Sequence, residues 1–122
     1  MILCDTNIII EALKNNQFIV ESIEEIGINN IALSAVTVME LYYGARNKAE
    51  LKMIKRNLSS IQIFHIVEEI SITASELIER YAKSHGLQIP DALIAATSII
   101  QNIQLYTSNT RDFKFIENIE LW

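Results

Sequence analysis

The chain has 122 residues, half of them hydrophobic, and ten Lys+Arg against fifteen Asp+Glu give a formal net charge of −5. That length suits one domain, 1–122, with a sizeable core, and three glycines and one proline are too few for a linker, a collagen-like repeat or a disordered tail. The lone Cys4 excludes an internal disulfide, no Cys/His spacing suggests zinc, the start lacks a signal peptide's basic residues and long apolar core, and no apolar run approaches the ~20 residues of a membrane helix, so a cytoplasmic protein with no membrane partner is expected. In chain order, Ile2–Cys4 reads as a first strand, ending at Asp5. Phe18–Ile26 spaces Ile19, Ile23 and Ile26 as a helix. Asn30–Leu33 reads as a second strand, and Val36–Ala45 as a helix with Val36, Met39 and Tyr43 on one stripe. A basic stretch follows, in which Arg46, Lys48, Lys52, Lys55 and Arg56 face only Glu50. Gln62–Ile66 is a third strand; Ile70–Lys83 is a helix carrying Ile70, Ala74, Leu77 and Tyr81 on its apolar face. Asp91–Ile100 is apolar nearly all round, which predicts a deeply buried helix. Ile103–Thr107 is a fourth strand, and Ile119–Leu121 a possible fifth. Strands alternating with helices imply a three-layer α/β/α sandwich on a mostly parallel sheet of four or five strands, with ligands bound beyond the strands' carboxyl ends.

The acids sharpen that expectation. Glu occurs twelve times but Asp only three: Asp5 at the end of the first strand, Asp91 at the start of the buried helix and Asp112 after the fourth strand. Glu40 is the only acid between Asn30 and Tyr43 and lies one helical turn past Thr37. Each has an ordinary reading. Asp5 suits a helix N-cap, Thr37 and Glu40 have capping-box spacing, and Asp91 after Pro90 and Asp112 in a short turn complement helix dipoles. Taken together these readings are weaker. Asp5 follows a strand and Glu40 sits among apolar residues, so both are expected to be at least partly buried, and converging carboxylates need a compensating charge. Nothing basic adjoins Asp5, Glu40 or Asp91 in sequence. A divalent cation compensates most simply, and oxygen donors from the carboxylates, Thr6, Ser34 and Asn109 suit Mg²⁺ or Mn²⁺ rather than Zn²⁺.

Four segments resemble the PIN-domain nucleases, and most of all the small VapC-type toxins of type II toxin–antitoxin pairs. They are Asp5-Thr6-Asn7, Ser34 to Gly44 (SAVTVMELYYG), Gly86 to Ala96 (GLQIPDALIAA) and Leu105 to Phe113 (LYTSNTRDF), in the family's order along essentially the whole chain. The resemblance implies a metal-dependent ribonuclease held inactive by a cognate antitoxin and often dimeric. It matches Asp5, Glu40 and Asp91 to the three core acids and Asp112 to the fourth. Asn109 stands where relatives often place an acid, which leaves open whether Asn109 or Asp112 serves the metal and whether one ion binds or two. Thr6 occupies a frequent hydroxyl position.

The expected chemistry is phosphodiester hydrolysis of RNA, with Asp5, Glu40, Asp91 and Asp112 as catalytic metal ligands and Thr6 and Asn109 in support. RNA-contact candidates are Arg46, Lys52, Arg56 and Arg111, although a charge run more often just solvates a helix face. His65, His85 and Cys4 read as structural, Tyr42 and Tyr43 as packing residues, and Trp122 as the edge of the core. A homodimer through helices near residues 36–58 is expected. Three rival readings stand beside this one. A catalytically inactive PIN scaffold that only binds is one. A small Asp-dependent phosphatase is another, although Asn7 occupies the place of its usual second acid. A receiver-type signalling domain is the third, although His65 stands where its phosphate-accepting Asp belongs.

Overall fold

The apolar runs pair into one parallel sheet. The computed structural model describes residues 1–122 and forms β1 from Ile2–Cys4, β2 from Ile31–Ser34, β3 from Gln62–Phe64 and β4 from Gln104–Tyr106. The spatial order is β3-β2-β1-β4, all neighbours parallel. Parallel neighbours require crossovers, and these hold six helices: α1 (Thr6–Leu13), α2 (Gln17–Ile26), α3 (Ala35–Tyr43), α4 (Lys48–Leu58), α5 (Glu68–His85) and α6 (Ile89–Gln101). Pairing between β2 and β3 ends at Ser34 and Phe64, so His65 and Ile66 lie outside the third strand. The expected fifth strand contracts to one parallel bridge, Leu121 to Leu105. The chain reaches it through Asn118, whose φ of 71° turns the backbone out of extended geometry.

The period-two alternation of the strands divides the interior into two cores. Leu3, Ala32 and Leu105 point into one, with Ile70, Leu77 and Tyr81 of α5 and Ile94 of α6. Ile2, Cys4, Ile31, Leu33 and Tyr106 point into the other, with Ile8, Ile19, Ile54 and Leu58 from α1, α2 and α4. The three layers follow directly. On α5 the stripe Ile70, Ala74, Leu77 and Tyr81 is buried along its whole length. The helix stops at Gly86, whose φ of 71° is the left-handed cap that glycine adopts without a Cβ clash. The three-residue connection to α6 then makes α5 and α6 side-by-side neighbours.

Two expectations fail on α3. Its buried face is Val36, Thr37 and Leu41. Met39 is 56% exposed, Tyr42 36% and Tyr43 95%, so the two tyrosines do not pack in the core. Val36 reaches one core and Leu41 the other, so α3 serves both, while its outer stripe of Met39 and Tyr43 meets no second layer. Trp122 is also half exposed, with its ring 4.5 Å from that of Tyr106 at the core's margin.

The strand order fixes where chemistry belongs. From β1 the chain builds outward through β2 to β3, and β4 returns to the other side of β1. The direction of winding reverses between β1 and β4, which opens a crevice beyond their carboxyl ends.

Candidate active site

Asp5 stands at that crevice, immediately after β1. Its backbone N–H donates to Tyr106 O at 2.9 Å, so pairing with β4 runs one residue past the strand. It caps α1 in an extended conformation and is only 4% exposed. Oδ1 accepts the N–H of the adjacent Thr6 at 2.8 Å, rather than one two or three residues into the helix as an ordinary cap does. Oδ2 accepts the Thr107 hydroxyl at 2.8 Å. Thr107 Oγ1 in turn accepts the Asn109 N–H at 3.0 Å, which ties the loop after β4 to Asp5.

Glu40 arrives on α3. That helix starts at Ser34, whose hydroxyl accepts the Val36 N–H at 3.1 Å, so Thr37 and Glu40 form no capping box and are free for other contacts. Thr6 Oγ1 donates to Glu40 Oε1 at 2.8 Å and lies 3.0 Å from the hydroxyl of the fully buried Thr37. The expectation that Glu40 is partly buried is not met: it is exposed, although it shares a face of α3 with the buried Thr37 and both meet the Thr6 hydroxyl. Asp91 lies in the first turn of α6, after Pro90, and is half buried. Asp112 ends the short 3₁₀ turn Thr110–Asp112 and is exposed.

These four carboxylates, with Thr6, Asn7 and Asn109, line one cavity of about 300 Å³ floored by Ile10 and Phe113. No Lys, Arg or His side chain lines it. Burial raises the Asp5 carboxyl above its ordinary value; the Thr107 and Thr6 hydrogen bonds act against that rise, and Glu40 and Asp112 add to it. Asp91 is pushed up to about 6, by burial first and then by Asp5, Asp112 and Glu40, with no hydrogen bond to offset them. Each of these two acids therefore senses the others, and nothing cationic answers them. The donor set is all oxygen and net negative, which fits a hard divalent cation. As they stand, no three acidic, histidine or cysteine side chains are gathered tightly enough to form a complete coordination shell. Asn109 and Asp112 both face the cavity.

Other residues fall elsewhere. Ser34 caps α3 and does not line the cavity. Arg46 is bound to Glu50 at 2.8 Å and borders a more apolar groove with Leu13, Met53 and Ile54, which shares Ile10 and Glu40 with the acidic cavity. Lys52 and Arg56 lie on the exposed side of α4, opposite the buried Ile54 and Leu58, and border neither hollow. Arg111 lines a polar hollow that shares Asn109 and Asp112 with the acidic cavity. His65 is exposed beyond β3, and His85 stacks on Phe115 at 4.3 Å, with its Nδ1 2.7 Å from Ser84 Oγ. Cys4 is buried in the core, where desolvation and then Asp5 push its thiol up to about 12, far from a nucleophile's range.

Thr107 and the inward role of Thr37 escaped the sequence reading. Thr107 follows Tyr106, which pairs with Cys4, so it stands directly beside Asp5. Its position at a strand's carboxyl end was legible, but its partner became so only once β4 was known to lie beside β1.

The PIN domain family model matches residues 2–118. Ribonuclease VapC10 of Mycobacterium tuberculosis is 31% identical over 125 residues, covering 98% of this chain and 91% of that protein. In the solved structure of VapBC2 from Rickettsia felis bound to a DNA fragment from their promoter, a chain 30% identical superposes with a TM-score of 0.84, covering 100% of this chain and 98% of that one. A toxin–antitoxin complex from Klebsiella pneumoniae gives a TM-score of 0.83 at 28% identity, covering 98% and 95%. A doubly wound parallel sheet, an acidic cavity at its switch point and a family match over nearly the full length agree: the chain belongs to the PIN domain family.

Proposed function

We propose that this chain is a VapC-type ribonuclease, the toxin of a type II toxin–antitoxin pair, and that it hydrolyses RNA phosphodiester bonds with Mg²⁺ or Mn²⁺ held by Asp5, Glu40, Asp91 and Asp112. The observation that carries the reading is the convergence of four carboxylates on one cavity with no cationic side chain in it. Such a cluster opposes folding unless a bound cation repays it. Relatives named ribonucleases, similar over almost the whole chain, support the same reaction. Structural neighbours solved as toxin–antitoxin complexes support a cognate antitoxin as partner.

The ion supplies Lewis-acid polarisation of a phosphate oxygen and a more acidic water. The protein's part is positioning. Thr6 and Thr107 each donate one hydrogen bond, to Glu40 and Asp5 respectively, and so fix the orientation of two carboxylates. Asp91, raised to about 6 by burial and by Asp5, Asp112 and Glu40, has no hydrogen bond lowering it, unlike Asp5. Asn109 faces the cavity as a neutral amide, so it adds a donor or acceptor without adding negative charge.

The reading also includes a homodimer through the exposed Met39, Tyr42 and Tyr43 of α3, which sedimentation would detect, and a cytoplasmic setting; no helix is long and apolar enough to cross a membrane. The decisive test is RNA cleavage with Mn²⁺ by wild type and Asp5→Asn. Activity should fall at least about a hundredfold, since even the outer-shell partners of metal ligands are worth 10–100-fold. Undiminished cleavage by the variant would sink the assignment. RNA binding without any cleavage by wild type would favour an inactive scaffold, and turnover of small phosphoesters alone would favour a phosphatase.

A further inference from the structure

The acidic cavity has no cationic side chain to hold a phosphodiester. Four carboxylates line it, more negative charge than one divalent ion cancels, on a chain whose net charge is already −5. Positive side chains for the neighbouring phosphates must therefore come from the rim. Three groups of basic residues compete for that role, and the structure separates them. Lys52 and Arg56 border neither the cavity nor the hollows beside it. Arg46 and Lys14 border the groove on the Glu40 side, half of whose lining residues are hydrophobic, and Arg46 is already bound to Glu50 at 2.8 Å.

The third group lies on the Asp112 side. There a hollow of about 500 Å³ is lined by the contiguous Ser108, Asn109, Thr110, Arg111 and Asp112 together with Lys114, and by no hydrophobic residue. It shares Asn109 and Asp112 with the acidic cavity, so the two spaces adjoin. The chain's two ion pairs, Arg46–Glu50 and Arg80–Glu117, involve neither Arg111 nor Lys114.

Local geometry explains why both cations reach one hollow. Residues 110–112 form a 3₁₀ turn that Phe113 ends, and Arg111 within it and Lys114 just after it line the same hollow. The Lys114 N–H donates to Thr110 O at 2.8 Å and closes the turn. Phe113, between them, is 1% exposed and anchors the turn in the core. At its other end Thr107 binds both the Asn109 N–H and Asp5 Oδ2. The two cations are thus mounted on a loop tied to Asp5.

We propose that Arg111 and Lys114 form a phosphate subsite that grips the backbone of a single-stranded RNA next to the bond being cut. The proposal rests on the ribonuclease reading for the position of that bond. Arg111 presents a planar fork suited to two phosphate oxygens and Lys114 a point charge, while the hydroxyls of Ser108 and Thr110 add neutral donors. Both cations act as positioning residues. Their removal should weaken binding and leave the chemical step nearly intact.

The test compares wild type with Arg111→Ala/Lys114→Ala on an oligoribonucleotide of about ten nucleotides, together with a set in which one phosphate at a time is replaced by a neutral methylphosphonate. In the double variant KM should rise about tenfold or more with kcat within about twofold, because charge-assisted hydrogen bonds are worth more than neutral ones. The slope of log KM against log salt should flatten by about 0.7 for each phosphate that the protein no longer neutralises. In wild type one neutral phosphate near the cut should raise KM, and in the variant that replacement should become silent. Unchanged KM and salt slope with cleavage intact would overturn the subsite and leave the ribonuclease reading standing. Should wild type not cleave, the same RNA set is titrated by fluorescence anisotropy. Affinity that drops in the variant and no longer responds to the marked phosphate would keep the subsite while the ribonuclease reading fails; equal affinity, or none in either protein, would overturn it.

Discussion

Along α5, Ile70, Ala74, Leu77 and Tyr81 are all buried, and the single polar atom they bring inside, the Tyr81 hydroxyl, accepts the Glu117 N–H at 3.1 Å. At the crevice between β1 and β4, Asp5 is equally buried but carries a carboxylate, held by two donors and facing Glu40 and Asp112. The first region contributes stability through apolar burial. The second costs stability, since each ionised acid there is desolvated and repelled by its neighbours. The difference teaches where function resides: a fold tolerates such an unfavourable cluster where a ligand is to repay it.

Substitutions in the two regions should therefore have opposite consequences. Asp91→Asn should abolish most metal-dependent cleavage, at least about a hundredfold, yet leave the fold as stable or more so, because one member of a repelling cluster becomes neutral. Calorimetry beside an activity assay checks both halves; a lower melting temperature would break the comparison. Ile70→Ala, at a fully buried position, should cost about 2–5 kcal/mol of stability, read by urea unfolding, with the kcat of the remaining folded protein unchanged.

Thr107→Val should be intermediate. It removes one donor from Asp5 and leaves the shape of the side chain, so cleavage should fall about 10–100-fold and stability by about 1 kcal/mol. If activity is untouched, the hydroxyl contributes only to the fold.

A pH series sharpens the contrast further. The Asp91 carboxyl is raised from 3.8 to about 6 in the folded chain. Between those values the folded state holds a proton that the unfolded state has released, so in chelator the stability contribution is fully present below pH 3.8 and is lost as pH rises through about 6. Asp91→Asn should flatten that decline. Added Mn²⁺ should raise the melting temperature more at about pH 7.5 than at about pH 5, because a proton competes for the same oxygen. An equal rise at both values would show that Asp91 does not bind the ion. The smallest effect is expected on α4: Lys52→Glu/Arg56→Glu should change kcat/KM within about threefold at about 0.15 M salt, since solvated charges far from the cavity are screened. A larger drop would move RNA binding to the basic stretch.

The sequence alone determined a good deal. Short apolar runs such as Ile2–Cys4, alternating with helical segments such as the one that spaces Ile70, Ala74, Leu77 and Tyr81, specified a parallel α/β/α sandwich, because parallel strands buried on both faces read as continuous apolar runs joined by helical crossovers. The scarcity of Asp, with all three at strand ends or helix starts, marked the residues that line the cavity. Local pattern says nothing of which strand lies beside which. Only the order β3-β2-β1-β4 sets Thr107 against Asp5 and places the loop carrying Arg111 and Lys114 beside the cavity. The same limit explains α3, whose apolar stripe read as core yet leaves Tyr43 in solvent, because burial depends on the layer a helix meets and not on its own periodicity.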